Sequence, residues 1–300
     1  MSEPVYLLLG ALALFGLVFV AGWVAYSRRA AAEPTPAEAQ PAGTSVAHVI
    51  TGFVTNFFDA LGIGSFATTT AIFRFFKSVP DRVLPGTLNV GHTLPTIAQA
   101  VIFIALIQVD MFTLVSMIIA AVIGAWLGAG VVAKWPRHYV QWGMGIALLA
   151  AAAAFTATNM KWFPGGGDDF ALTGTRLYIG LAGNFLLGAL MSLGIGLYAP
   201  CMILVALLGM NPTAAFPIMM GSCAFLMPVA SLRFIKEKSY AFRAALGLAI
   251  GGVFGSILAG VYVRSLDLAT VRWLVIVVVL YAAVTLLRSA MSREPDTARV

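Results

Sequence analysis

Nine apolar stretches run through this chain, several of them more than twenty residues long without a charge, and that pattern leaves lipid as the solvent in which it can fold. Composition agrees: 60% of the residues are hydrophobic and 10% charged, against ~45–50% and ~25% in an ordinary soluble domain. The stretches are continuous rather than alternating, which excludes a transmembrane β-barrel. The net charge of +6 comes from basic residues in loops between the stretches, a topogenic pattern rather than a nucleic-acid footprint, so the partner expected is the lipid bilayer and no nucleic acid. Cys201 and Cys223 lie inside apolar runs and form no disulfide framework or spaced metal site. No Walker A motif occurs in the chain, and no cofactor or metal is expected.

Val5 to Tyr26 is apolar and is followed, not preceded, by Arg28 and Arg29. A cleaved signal peptide carries its positive charge before the apolar core. Residues 1–29 therefore read as an uncleaved anchor with its N-terminus outside. Residues 30–45, rich in Ala, Pro and Glu, read as a flexible cytoplasmic linker. Eight further apolar segments fall at about 46–78, 85–109, 111–133, 138–158, 174–210, 214–235, 241–263 and 270–288, the first and fifth overlong and broken by glycine.

Those two segments mark an internal repeat at an offset of 132. Gly62-Ile63-Gly64 recurs as Gly194-Ile195-Gly196, Pro80 as Pro212, Pro85 as Pro217, and Gly124/Gly128 as Ser256/Gly260. The expected layout is a first repeat over 46–158, a loop over 159–173, a second repeat over 174–290 and a tail over 291–300. If every segment spans, the Lys and Arg residues divide 11 inside to 7 outside. If both glycine-broken segments enter and leave on one side, the halves are inverted and the division becomes 14 to 4, a better match to the positive-inside rule. The expected fold is thus an all-α polytopic membrane protein. An anchor helix precedes two inverted repeats, each a re-entrant hairpin and three transmembrane helices, with the C-terminus cytoplasmic.

A backbone break at depth is tolerated in lipid only where protein or a water-filled cavity surrounds it. Matching breaks in two inverted halves point to a transporter's central site. Each helix restart after Gly-Ile-Gly offers free N–H groups and the positive end of a helix dipole, which suits an anion without a buried Lys or Arg. The substrate-binding candidates are Asn56, Gly62, Gly64, Ser65, Phe66 and Thr68 at the first break, with Thr69 and Thr70 beside them, and Ser192, Gly194, Gly196 and Tyr198 at the second. The following helices add Asn89 and His92, near Thr93 and Thr96, and also Ser222 and Cys223. Asp59 and His92 are the candidates for coupling or gating. Each has a plainer alternative: Asp59 as a cap on a half-helix start, and His92 as a neutral histidine bonded within the bundle. The glycines of the breaks could instead serve close packing. Packing is the expected role of Gly124, Gly128, Ser256 and Gly260, which lack polar company.

The stretches Asp59–Phe66 (DALGIGSF) and Leu84–His92 (LPGTLNVGH), with Gly188–Pro200 (GALMSLGIGLYAP) in the second half, resemble the TauE/SafE family of anion permeases. The resemblance covers roughly 51–288; the anchor and linker depart from the family pattern. It implies a secondary transporter, not an enzyme, with export as the expected direction: sulfite, sulfoacetate, isethionate or a similar anion crossing the bacterial inner membrane. The residues leave the particular anion and the oligomeric state open. Ser65 and His92 also suggest a second reading, an intramembrane Ser/His hydrolase. Against it, the break recurs with Leu197 where Ser65 would stand. A scaffold without substrate is a third reading, but it has no use for matched glycine breaks.

Overall fold

The computed structural model describes residues 3–32, 45–62, 64–76, 78–80, 83–131, 167–191 and 197–263, with scattered positions between 142 and 160 and between 273 and 291. Among the described residues there are nine α-helices: α1 (Glu3–Ala32), α2 (Ser45–Ala60), α3 (Ser65–Phe75), α4 (Leu84–Leu106), α5 (Met111–Val131), α6 (Gly174–Met191), α7 (Tyr198–Leu207), α8 (Ala215–Lys236) and α9 (Phe242–Val263). Among the described residues there is no strand, only an isolated bridge between Asp169 and Met210. Lipid imposes this, because a helix bonds its backbone groups within itself. Among the described residues four helices are long and apolar enough to cross a membrane, within Glu3–Arg28, Gly86–Leu106, Pro212–Lys236 and Phe242–Tyr262. The protein is an all-α polytopic membrane protein. The apolar segments expected at 138–158 and 270–288 lie largely outside the described residues.

The repeated prolines sit where they do no harm to the backbone ladder. Pro85 is in the first turn of α4, and Pro217 is in that of α8. Pro212 opens a short 3₁₀ turn whose Asn211 side chain accepts from Thr213 N at 3.0 Å and Thr213 Oγ1 at 2.7 Å.

Contacts fix the helix directions. Along α2 and α9 they rise together: Gly52 abuts Leu248, Asn56 abuts Gly252, and the Phe57 and Tyr262 rings lie 6.2 Å apart. Along α4 and α9 they also rise together, from Gly91 on Leu248 to Gly260 on Ile102. The same holds for α5 and α6, where Gly180 meets Met117 and Gly188 meets Ala121. Between α4 and α8 the order reverses: Thr93 bonds Ser231 at 2.8 Å near one end, and Phe103 stacks on Phe216 at 5.1 Å near the other. So α2 and α4 run against α8, while α1, with Phe15 on Phe225 and Gly22 on Leu232, runs along it.

The broken segments double back. Leaving the turn after α2, α3 passes His92 with Phe66 (ring centroids 5.8 Å) and ends with Phe73 beside His48, near the start of α2 (5.5 Å). In the second half, α7 returns along α6: Leu204 packs at Gly183, Leu208 at Gly180, and Arg176 at Gly209. Arg28, Arg233, Lys236, Lys238 and Arg243 gather where α2 and α4 begin. The other end carries Asp110, which caps α5 through Thr113, and the exposed Arg176–Asp169 pair at 4.0 Å.

Small residues let these helices touch by backbone. Gly247, Gly251 and Gly255 recur every four residues on one face of α9, against His48, Val49 and Phe53 of α2. Gly124 likewise faces the backbone of Phe185. Ser256 corrects the expectation set for its group: it has polar company, accepting a hydrogen bond from Gln99 Nε2 at 3.0 Å.

Candidate functional site

The first hairpin tip is built by glycine. After α2, Leu61 N donates to Phe58 O (3.0 Å) and Gly62 N to Asp59 O (2.8 Å), which closes a tight turn. Gly62 and Gly64 then take φ of +93° and +82°, a region open to a residue without Cβ. The chain restarts as α3 at Ser65, whose N–H donates to Asp59 Oδ1. This corrects the expectation of a free helix start: the carboxylate of Asp59 already holds its first donor, as an N-cap does. A Cβ on Gly62 would fall 2.9 Å from Sδ of Met202 in α7, so the tip of the first hairpin touches the return helix of the second.

A polar stripe on α4 organises the space beneath the tips. His92, Thr96 and Gln99 stand at i, i+4 and i+7, one face of a helix, and all three are buried. His92 Nδ1 pairs with the Asn56 amide (2.9 Å to Nδ2, 3.1 Å to Oδ1) and Nε2 with Thr69 Oγ1 (3.0 Å). Either neutral tautomer satisfies both contacts, so His92 clasps α2 and α3 to α4. Gln99 ties α4 to α2, α7 and α9. Its Nε2 donates to Asn56 O (3.3 Å) and Ser256 Oγ (3.0 Å), and its Oε1 accepts from Tyr198 OH (3.1 Å).

Asn56, Asp59, Gly62, Ser65, Phe66, His92 and Tyr198 are thus brought together around the first tip. Thr68 instead turns its hydroxyl back on its own helix, donating to Gly64 O (3.2 Å) and Ser65 O (3.0 Å). Asn89 is half-buried on α4, and its carbonyl accepts from Thr93 Oγ1 at 2.6 Å. Gly64 lies at the tip with open space around its Cα. Ser222 belongs to a second cluster, accepting from Asn184 Nδ2 (3.3 Å) and donating to Ile218 O (2.7 Å). Cys223 lies beside Met191, Sγ to Sδ 3.5 Å. Ser192, Gly194 and Gly196 lie outside the described residues.

Sequence reasoning missed Gln99 and Asn184. The signal for Gln99 was its helical spacing from His92; for Asn184 it was only a lone amide in an apolar run. Three buried side-chain polar atoms among the described residues lack a hydrogen-bond partner: Asp59 Oδ2, Asn184 Oδ1 and His48 Nδ1. The site is lined by hydroxyl and amide groups of α2, α4 and α7 that bond one another. Among its described members the site holds no Lys or Arg.

No hydrogen bond joins Ser65 to His92 among the described residues, since both ring nitrogens are engaged elsewhere. No curated protein and no solved structure matched the chain. A family model described as "Sulfite exporter TauE/SafE" matches residues 2–155. That span includes α1, which corrects the expectation that the anchor departs from the family pattern, and it ends before α6.

Proposed function

Because the chain belongs to the TauE/SafE sulfite exporter family, we propose that it is a secondary transporter moving a small sulfur oxyanion or organosulfonate across the cytoplasmic membrane. The observation that carries this reading is the meeting of the hairpins, with Gly62 against Met202 and Tyr198 bonded through Gln99 to Asn56. The anion sits between the tips, bound by hydroxyls and amides, and the two halves alternate in opening to either side. An inverted arrangement is supported by α8 running against α4 and by the doubling back of both broken segments. The basic end at Arg28, Arg233, Lys236, Lys238 and Arg243 supports an external N-terminus and a cytoplasmic C-terminus. Export suits the inside-negative potential, which favours outward movement of an anion by ~2.3 kcal/mol per charge per 100 mV.

Ser65→Ala tests this reading against an intramembrane hydrolase. One anion contact among several is worth about 1 kcal/mol, so the transporter reading expects the half-saturating sulfite concentration to rise about fivefold with maximal flux kept. Loss of all activity on this single change would favour a nucleophile instead.

A further inference from the structure

Asp59 is the one carboxylate deep in the bundle among the described residues, 2% exposed, and its two oxygens are treated differently. Oδ1 takes the N–H that opens α3. Oδ2 has no partner, although the side chains of Gln99, Ser65 and Tyr198 face the carboxylate. Two of those neighbours are committed elsewhere: Tyr198 gives its proton to Gln99, and the Gln99 amide gives its hydrogens to Asn56 O and Ser256. A negative oxygen is thus held, half-satisfied, at the helix start to which an incoming oxyanion is drawn.

We propose that Asp59 is a tethered counter-anion, which occupies the anion site between the hairpin tips until a proton neutralises it and the transported oxyanion takes its place. This rests on the transporter reading and adds to it a fixed relation between anion and proton. Two negative charges cannot share one dry site without strong repulsion. Each anion bound therefore brings a proton from water onto Oδ2, turning the orphan acceptor into a donor that the oxyanion can accept. The other titratable groups that face Asp59 are Tyr198 from α7 and Cys223 from α8; His92 on α4 is engaged at both ring nitrogens. None of these supplies a positive charge to the site.

Isethionate is the probe, because its sulfonate keeps a single charge across the working pH range. Calorimetry on the purified full chain in buffers of different ionisation heat should show uptake of about one proton per isethionate bound. Asp59→Asn keeps an acceptor for the Ser65 N–H and removes the charge. It should bind isethionate about tenfold or more tighter at neutral pH, by the like-charge term alone, with no dependence on pH. Asp59→Glu keeps the charge and should retain the pH dependence. Wild-type binding with no proton uptake overturns the inference and leaves the transporter reading standing, as does a folded Asp59→Asn protein with unchanged affinity and pH response. No binding of isethionate or sulfite to the folded wild type overturns both. The wild-type proton count decides the matter even if Asp59→Asn does not fold.

Discussion

Leucine at Gln99 is expected to cost the protein about 2 kcal/mol of stability and to cut anion flux at least about tenfold. The change removes three hydrogen bonds at once, to Asn56 O, Ser256 Oγ and Tyr198 OH. In water-soluble cores each stranded partner costs ~1–3 kcal/mol. In membranes the average is nearer 0.6, because the unfolded chain in lipid finds other partners, and three such losses set the lower figure. The flux effect is larger than stability alone requires. Gln99 is the link by which Tyr198 on one hairpin is held against Asn56 on the other, and without it the tips lose their common register. A thermal melt in detergent and flux from the same preparation check both parts. A Gln99→Leu protein that melts and transports like wild type would show that the link does nothing.

The second large effect lies at the tip glycines. Alanine at either Gly62 or Gly64 must adopt positive φ, a strain of roughly 1–2 kcal/mol. Only at Gly62 does the new methyl also meet the other hairpin, 2.9 Å from Met202 Sδ; at Gly64 nothing lies within 4 Å. Gly62→Ala should therefore lower flux more than tenfold, and Gly64→Ala by only a few-fold. Met202 is fully buried, so its thioether has little room to swing aside and the methyl presses on the helix that carries it, α7. Met202→Ala in the same chain should recover much of the Gly62→Ala loss. Equal losses at the two glycines, with no recovery, would mean that backbone strain alone matters and that the tips do not work against each other.

Much of this was legible in the sequence because it is carried by local chemistry. Gly-Ile-Gly inside an overlong apolar run demands a break, and the breaks with Pro80/Pro212 and Pro85/Pro217 hold one offset. Positive φ at Gly62 and Gly64 is that demand realised. Gln99 was not legible, because its partners lie 43, 99 and 157 residues away. No local pattern encodes such pairings; only the helical spacing from His92 hinted at them. Ser256 was misread for a related reason. Its counterpart in the repeat is Gly124, a packing residue, and symmetry suggested the same role for both. The two positions differ, since Ser256 faces a glutamine and Gly124 faces the backbone of Phe185. Asp59 was read as either a cap or a gate, and its two oxygens explain why both readings arose: one caps α3, the other is unpaired.

The central claim is that the paired hairpins carry a sulfur anion across the membrane. Flux in proteoliposomes of the purified protein tests it most directly, comparing sulfite, isethionate, sulfoacetate, sulfate and chloride with and without a pH gradient. Saturable movement of at least one sulfite or sulfonate anion is expected, inhibited by the others of that class and not by chloride. A folded protein that moves none of these anions faster than empty vesicles would contradict it.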